Sequence, residues 1–174
     1  KLGVEQWVGT GLGAVRVLAG DQTLRRRALA HTATELPPPS ELAELTRVAA
    51  AHDYPGAWLV DPEGWILARS RSAPVPTAPE LELAREVATG REATVRLLLG
   101  QGEETVAAFA APLEGAPGTV LLRADPDDFL YPLLLSEPVP TATGETMLAQ
   151  LEADSVVFLS PLRKDAGLPS TIRR

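Results

Sequence analysis

The stretch "WLVDPEGWILARS", Trp58 to Ser70, decides how this chain is interpreted. Two short apolar runs flank the segment from Asp61 to Gly64, whose Asp, Pro and Gly suit a tight turn, with Gly64 supplying a positive φ. Short runs on either side of such a turn are typical of two antiparallel strands. Two carboxylates fall short of the roughly six or more oxygens that Ca²⁺ requires, so the stretch predicts a β-hairpin and not a metal site.

The same β-rich pattern returns later in the chain, in three consecutive runs joined by short connections that contain glycine. Such an arrangement predicts an antiparallel meander. The five predicted strands are residues 57–60, 65–70, 94–99, 105–111 and 119–123. A proline-rich loop and a short helix that ends at Gly90 separate the hairpin from the meander.

Helices are predicted before the first strand. Apolar residues recur at spacings of three and four from Val4 onward, which predicts a helix over 4–35 with one buried stripe and a point of weakness at Gly20 and Asp21. The prolines of "LPPPS" end it, and Ser40 is expected to cap a second helix over 41–51. The motif "GTGLGA", residues 9–14, resembles a dinucleotide fingerprint but lacks the preceding strand, so its small residues indicate close helix packing.

Composition excludes several classes of function. A formal net charge of -7 argues against nucleic acid as a partner, and the absence of cysteine removes disulfides, thiolate nucleophiles and Cys-based metal sites. The two histidines, His31 and His52, stand at predicted helix C-termini, where a partial positive charge is favourable. No nucleophile elbow or zinc motif accompanies them. We therefore expect no enzyme, no catalytic residue, no metal and no cofactor.

Longer segments carry a resemblance to a known family. "GAWLVDPEGWILARS" and then "ETVAAFAAPLEGAPGTVLLRADPDDFLYPLL" resemble the membrane-distal module of double Cache domains, the PAS-like extracytoplasmic sensors of bacterial receptors. "PVPTATGETMLAQLEADSVVFLSPLR" resembles the start of the membrane-proximal module in sensors that precede histidine kinases and diguanylate cyclases. The family's amino-acid-binding signature, clustered Trp, Tyr, Arg and Asp near the third strand, is absent, so the resemblance assigns no ligand.

The resemblance implies an α+β, PAS-like fold: a five-stranded antiparallel sheet, a long N-terminal helix along one face, and short helices. It divides the chain into a long helix at 1–36, a membrane-distal module at 37–137, and a linker with an incomplete second module at 138–174. The implied function is signal reception in the extracytoplasmic part of a bacterial inner-membrane protein. The signal would be a small molecule or a periplasmic partner, and membrane contact would come only through segments outside this chain.

Two other functions stay open at this point. One is a ligand-free dimerisation or spacer module. The other is a cytosolic PAS or GAF-like cofactor domain, which is disfavoured because no Cys and no suitably placed His stands on the strands. We also expect a parallel homodimer through the N-terminal helix, along a stripe formed by Val4, Val8, Leu12 and Val15.

Candidate ligand-binding residues follow from strand alternation. Trp65, Leu67 and Arg69 are expected on one side of their strand, with Ile66 and Ala68 on the other. The predicted binding residues are Trp65, Arg69, Arg96 and Phe109. The two arginines favour an anionic ligand through bidentate guanidinium contacts. The alternative is that both arginines only extend their charged ends to solvent at strand ends.

Overall fold

The structure of the chain is a computed structural model, and it describes residues 2–30, 40–90, 92–99, 105–132, 149–152, 155–158 and 171–173. The helices are α1 (Leu2–Ala19), α2 (Gln22–Ala30), α3 (Ala43–Ala51) and α4 (Ala78–Gly90). The strands are β1 (Ser40–Glu41), β2 (Gly56–Val60), β3 (Ile66–Arg69), β4 (Thr94–Leu99), β5 (Thr105–Pro112), β6 (Thr119–Ala124), β7 (Ala149–Glu152), β8 (Ser155–Phe158) and β9 (Thr171–Arg173).

A six-stranded sheet forms the centre of the fold, with the strand order β1-β3-β2-β6-β5-β4. Neighbouring strands are antiparallel except β1 and β3, which are parallel. The predicted hairpin is β2 with β3, and the predicted meander is β4, β5 and β6, so both are confirmed. The α+β class is confirmed as well, whereas the predicted count of five strands is corrected to six.

The additional strand β1 lies where the sequence predicted a helix cap. Ser40 and Glu41 pair with Ala68 and Arg69, so Ser40 does not cap α3. The residue before α3 is instead Leu42, which has extended backbone and no capping side-chain bond. A strand of two residues has no alternation of its own, and its position is determined by the free edge of β3.

The turn between β2 and β3 has the predicted geometry. Gly64 has a φ of 93°, and its N–H donates to the carbonyl of Asp61 at 3.0 Å. The Asp61 side chain is buried, and its Oδ1 accepts the N–H of Trp65 at 2.7 Å. The acidic residue at the start of the turn therefore holds the hairpin together, as the turn interpretation requires.

The N-terminal helix breaks at the predicted point of weakness. α1 ends at Ala19, and Asp21 Oδ1 accepts the N–H groups of Thr23 at 2.7 Å and Leu24 at 3.2 Å, which caps α2. α1 packs against β5 and β6, which confirms that the helix covers one face of the sheet. The end of the predicted helix, 31–35, lies outside the described residues, as does His31.

The sheet has two covered faces, and each is named here by the helix upon it. On the α1 face the buried residues include Leu59, Ala107, Phe109, Val120 and Leu122. On the α4 face they include Trp58, Val60, Ala108, Leu121 and, from the helix, Leu83. Because strand residues alternate between faces, every sheet residue can be assigned from its partner in register.

A bulge in the hairpin corrects the predicted faces of β3. Leu59 pairs with Ala68, but the next residue, Val60, pairs with Ile66, which leaves Leu67 as the extra residue. Ile66 consequently lies on the α4 face, and so does Arg69, which stands opposite Trp58. Simple alternation had placed Ile66 and Arg69 on opposite sides.

A separate three-stranded antiparallel sheet is formed by β7, β8 and β9. The hairpin of β7 with β8 lies in the stretch that resembles the start of a membrane-proximal module. The third strand, β9, had no counterpart in the sequence-based expectations. The proposed boundaries at 36–37 and 137–138 fall among residues that the structure does not describe, so they stay predictions.

Candidate functional site

The four residues predicted to bind a ligand do not come together in the fold. Arg69 and Arg96 lie on the α4 face, since they pair with Trp58 and Ala108. Phe109 lies on the α1 face, so it cannot line a cavity shared with the two arginines. Trp65 lies at the end of the hairpin turn and is 55% exposed. Their role in binding stays a prediction, and only Arg69 enters the site described below.

Phe109 packs between the sheet and α1. Its ring is fully buried and contacts Trp7 edge to face, with ring centroids 5.2 Å apart. A Cβ built on Gly11 would lie 2.3 Å from Phe109 Cε1. Gly11 therefore lets the helix approach the ring, which confirms the close packing predicted for this part of "GTGLGA".

Arg96 is already neutralised by α4. Its Nη1 and Nη2 donate to the two carboxylate oxygens of Glu86 at 2.6 and 2.5 Å. This hydrogen bonding lowers the pKa of Glu86 and raises the pKa of Arg96. Both side chains are largely exposed, 44% for Arg96 and 59% for Glu86, so the pair is screened by solvent and adds little stability. The geometry agrees with the alternative in which Arg96 extends to solvent.

Three donors on three strands of the α4 face converge on one loop. Arg69 Nη1 donates to the carbonyl of Ala73 at 3.4 Å, Trp58 Nε1 to that of Pro74 at 3.2 Å, and Arg123 Nη2 to that of Val75 at 3.3 Å. The three donor residues stand on β3, β2 and β6, which are neighbours in the sheet. We call Arg69, Trp58 and Arg123 the donor row, and residues 73–75 the acceptor loop.

The sequence of the acceptor loop explains why it supplies acceptors. Pro74 within the loop and Pro76 directly after it have no N–H, so the polar groups that this segment offers are mostly carbonyls. The bonds to the donor row are at or beyond the long end of the usual N–H···O range of about 2.7–3.2 Å. The donors are therefore occupied, but by weakly held partners.

Arg123 has a second and stronger partner in α4. Its Nε donates to Glu80 Oε1 at 2.7 Å, and its Nη2 donates to Glu80 Oε2. The Glu80 side chain is fully buried, and that of Arg123 is 12% exposed. The guanidinium also lies over the Trp58 ring, 5.2 Å from the centroid. This pair connects the first turn of α4 to the end of β6.

Glu80 also caps its own helix. Its Oε2 accepts the N–H of Thr77 at 2.7 Å and the Thr77 hydroxyl at 2.8 Å. Thr77 and Glu80 have the spacing of a capping box, in which a side chain three residues into the helix reaches back to the cap. The helix start, the buried charge pair and the acceptor loop thus share one set of contacts.

Arg69 differs from the other arginines of this face. Its Nε is buried and has no hydrogen-bond partner among the described residues. It also has no carboxylate within ion-pair distance in the described part of the chain, whereas Arg96 has Glu86 and Arg123 has Glu80. Within the described part of the chain, the donor row therefore contains one guanidinium whose charge is not paired with a carboxylate.

Sequence reasoning found Arg69 but missed Trp58, Arg123 and Glu80. The spacing of Thr77 and Glu80 was a readable capping signal. Arg123 is the single charge in the otherwise apolar run "TVLLRA", which was a sign of a buried partner. Nothing local could show that Trp58 and Arg123 meet the same loop, because they are 65 residues apart (123 − 58).

Other kinds of site find no support in the described residues. Within them, no group of three or more His, Asp or Glu side chains is placed to hold a metal ion. His52 ends α3, as predicted for a residue that faces the helix dipole, and its ring stacks on Tyr54 at 5.4 Å. Among the helices described here, none has the length and apolar character needed to cross a membrane.

The strand order and the helix-covered faces form a PAS/Cache-like fold. Solved structures confirm the assignment of the fold. The sensor domain of Escherichia coli DcuS is 14% identical, with a TM-score of 0.54, and the match covers 74% of this chain and 95% of that one. The comparison with protein-family models gives no match, and neither does the comparison with curated proteins.

Two chemoreceptor domains have the same fold. The ligand-binding domain of Campylobacter jejuni Tlp3, in complex with 4-methylisoleucine, is 11% identical with a TM-score of 0.57, covering 89% of this chain and 78% of that one. That of Pseudomonas fluorescens CtaA, in complex with L-serine, is 15% identical with a TM-score of 0.53, covering 93% and 67%. All three are described as sensor or ligand-binding domains.

Proposed function

We propose that this chain is the extracytoplasmic signal-reception domain of a bacterial transmembrane signalling protein, and that it binds a small anionic molecule at the donor row. The observation that carries the proposal is the convergence of Arg69, Trp58 and Arg123 on a loop that offers only weakly held acceptors. The shared fold with the DcuS sensor domain and with chemoreceptor ligand-binding domains supports the choice of a sensor over other functions.

The chemistry of the donor row favours an anion. A carboxylate presents stronger acceptors than a peptide carbonyl, and bonds to charged groups are about twice as strong as neutral ones. Arg69 has a buried Nε without a partner among the described residues, so an anion gains a hydrogen bond there that the acceptor loop does not make. The ligand would replace the carbonyls of the acceptor loop and shift the loop that leads into α4.

The test is a thermal-shift and calorimetric screen of small carboxylates, with small amines as the contrasting charge. A ligand that binds only the folded chain raises its melting temperature by mass action. Arg69→Gln should weaken a binding carboxylate by at least about tenfold, because a hydrogen bond to a charged group contributes about 1.5–3 kcal/mol.

The matched control is Arg96→Gln, which removes an arginine from the same face but from an exposed pair with Glu86. It should leave affinity within about twofold, since exposed charges are screened by solvent. Equal losses in the two variants would contradict a site at the donor row. Binding that both variants retain in full would place the ligand elsewhere.

A homodimer through the N-terminal helix is part of the proposal, but the predicted stripe is wrong. Val15 is fully buried, and Leu12 packs against the same core, so this side of α1 faces the sheet. The outward side carries Thr10, which is exposed, and Val17, which is 72% exposed. We assign the dimer contact to this outward side.

Cysteine cross-linking distinguishes the two sides of α1. Val17→Cys and Thr10→Cys should form disulfide-linked dimers under mild oxidation, because both positions are open to a second copy. Val15→Cys should not form such dimers, because Val15 is buried between α1 and the sheet. Cross-linking at Val15 alone, or at none of the three positions in the membrane-anchored protein, would contradict a dimer through α1.

The second candidate function is a ligand-free spacer or dimerisation module. The observation in its favour is that Trp58 and Arg123 already have partners within the chain, in the acceptor loop and Glu80. Under this alternative no screened molecule changes the melting temperature, and Arg69→Gln alters stability alone. The ligand screen therefore separates the two functions.

A further inference from the structure

Three arginines project from the sheet onto the α4 face, and they differ in their carboxylate partners. Arg96 is neutralised by Glu86 at an exposed position. Arg123 is neutralised by Glu80 at a buried one. Arg69 has no carboxylate partner in the described residues. Of the two arginines in the donor row, Arg123 is paired with Glu80, so the described residues leave the row with one net positive charge, that of Arg69.

Glu80 is held too firmly to release Arg123 easily. Its two carboxylate oxygens accept four hydrogen bonds, two from Thr77 and two from Arg123, and the side chain is not exposed. A buried carboxylate is stable as an anion only while such partners remain. Swinging it away would also uncap α4, because the Thr77 bonds form the capping box.

We propose that Glu80 determines the charge selectivity of the donor row: by neutralising Arg123, it limits the site to ligands with a single negative charge. The inference rests on the proposed function, since it assumes that anions bind at Arg69. Glu80 acts here as a positioning and specificity residue that does not itself contact the ligand.

The selectivity follows from where a second negative charge would lie. One carboxylate of a ligand is matched by Arg69. A second carboxylate directed along the donor row would approach Arg123, which is already ion-paired with Glu80. It would therefore gain no uncompensated positive charge, and it would be repelled by the negative charge of Glu80. Like charges disfavour the ionised form of each other, and desolvating an unpaired carboxylate is costly. Monoanions avoid both penalties.

The experiment compares propionate and malonate, which have the same carbon count and differ by one carboxylate. Their affinities for the 174-residue chain are measured by NMR titration at neutral pH, and the readout is the ratio of the two dissociation constants. The parent chain should favour propionate. Glu80→Gln keeps an oxygen to accept from Thr77 but frees the Arg123 charge, so the ratio should move toward malonate by at least about tenfold, equivalent to about 1.4 kcal/mol.

Three further variants keep the test decisive. Glu80→Gln/Arg123→Gln removes both charges and should return the ratio to that of the parent. Val75→Lys adds a cation at a position that is 83% exposed and whose backbone carbonyl accepts a hydrogen bond from Arg123. It should also move the ratio toward malonate, and Val75→Gln should not. If Glu80→Gln fails to fold, Val75→Lys still tests whether one additional positive charge at the donor row shifts the affinity ratio toward malonate.

The possible failures are distinguishable. If propionate binds the parent and loses affinity in Arg69→Gln, but neither Glu80→Gln nor Val75→Lys changes the ratio, the role of Glu80 is overturned and the anion site at Arg69 stands. If the parent chain binds neither anion and Arg69→Gln does not change the measured affinities, the proposed anion site is wrong. The proposed charge selectivity is then wrong as well.

Discussion

Adding one methyl group at three glycines of α1 tests the packing of the helix on the sheet. A Cβ at Gly11 would lie 2.3 Å from Phe109 Cε1, 2.4 Å from its Cζ and 2.7 Å from its Cδ1. At Gly9 and Gly13 the same atom would meet nothing within 4 Å. The three positions share a helix and a chemical change, so they differ only in what the new methyl group contacts.

The expected changes in the free energy of unfolding differ between the three variants. Gly to Ala within a helix gains about 0.5–1 kcal/mol, so Gly9→Ala and Gly13→Ala should raise the free energy of unfolding by that amount. Gly11→Ala makes the same gain but overpacks a core, which costs about 1–3 kcal/mol. We take the upper part of that range, because three ring atoms conflict and Phe109 is fully buried. The net loss should be about 1–2 kcal/mol.

Urea denaturation followed by circular dichroism measures these differences. Combining Gly11→Ala with Phe109→Leu should recover part of the loss, with a coupling of about 0.5–3 kcal/mol expected for residues in direct contact. If Gly11→Ala is as stable as Gly9→Ala, or if the double variant shows no coupling, the close approach of α1 to the Phe109 ring is refuted.

Three other predictions concern the hairpin turn and the edge of α4. Gly64→Val should cost at least about 1–2 kcal/mol in urea denaturation, because a β-branched residue would adopt a φ of 93°, and an unchanged midpoint would contradict the turn. Asp61→Ala should cost about 1.5–3 kcal/mol through loss of the bond to Trp65, whereas exposed Glu63→Ala should be nearly neutral, and equal effects would count against the role of Asp61. The pKa of Glu86 is lowered in the folded chain, so its stabilising effect is present above the ordinary carboxyl value of 4.5 and is lost as the pH falls through the folded value. Glu86→Gln should therefore reduce the decrease in melting temperature that is measured as the pH falls into the acidic range. The control Glu82→Gln, at an exposed position of the same helix, should not reduce it.

Much of the local structure was accessible from the sequence because its causes are local. The turn at Asp61 to Gly64 requires particular residue types within four positions, and the alternating runs on either side then pair as a hairpin. The meander follows from short connections in the same way. The break at Gly20 and Asp21 combines a poor helix former with a capping side chain, both readable in the sequence.

The faces of β3 and the edge of the sheet required the tertiary structure. One bulge residue, Leu67, reverses the alternation on which the predicted faces depended, and nothing in "GWILARS" marks it. The strand β1 exists because the edge of β3 has free backbone groups, and Leu42 N–H donates to Arg69 O at 3.1 Å. Pairing between distant segments is decided by the whole sheet and not by the short segment itself.

The candidate site shows the same division. The sequence determined that the chain folds as an α+β PAS-like domain, that Arg69 ends a strand beside a proline-rich loop, and that Thr77 and Glu80 have capping spacing. Only the tertiary structure decided that, of the two arginines in the donor row, Arg69 is the one without a carboxylate among the described residues. That outcome depends on the approach of α4 to β6, where Glu80 meets Arg123 across 43 residues of sequence. Charge compensation is a property of distances in space, and a sequence specifies those distances only through the complete fold.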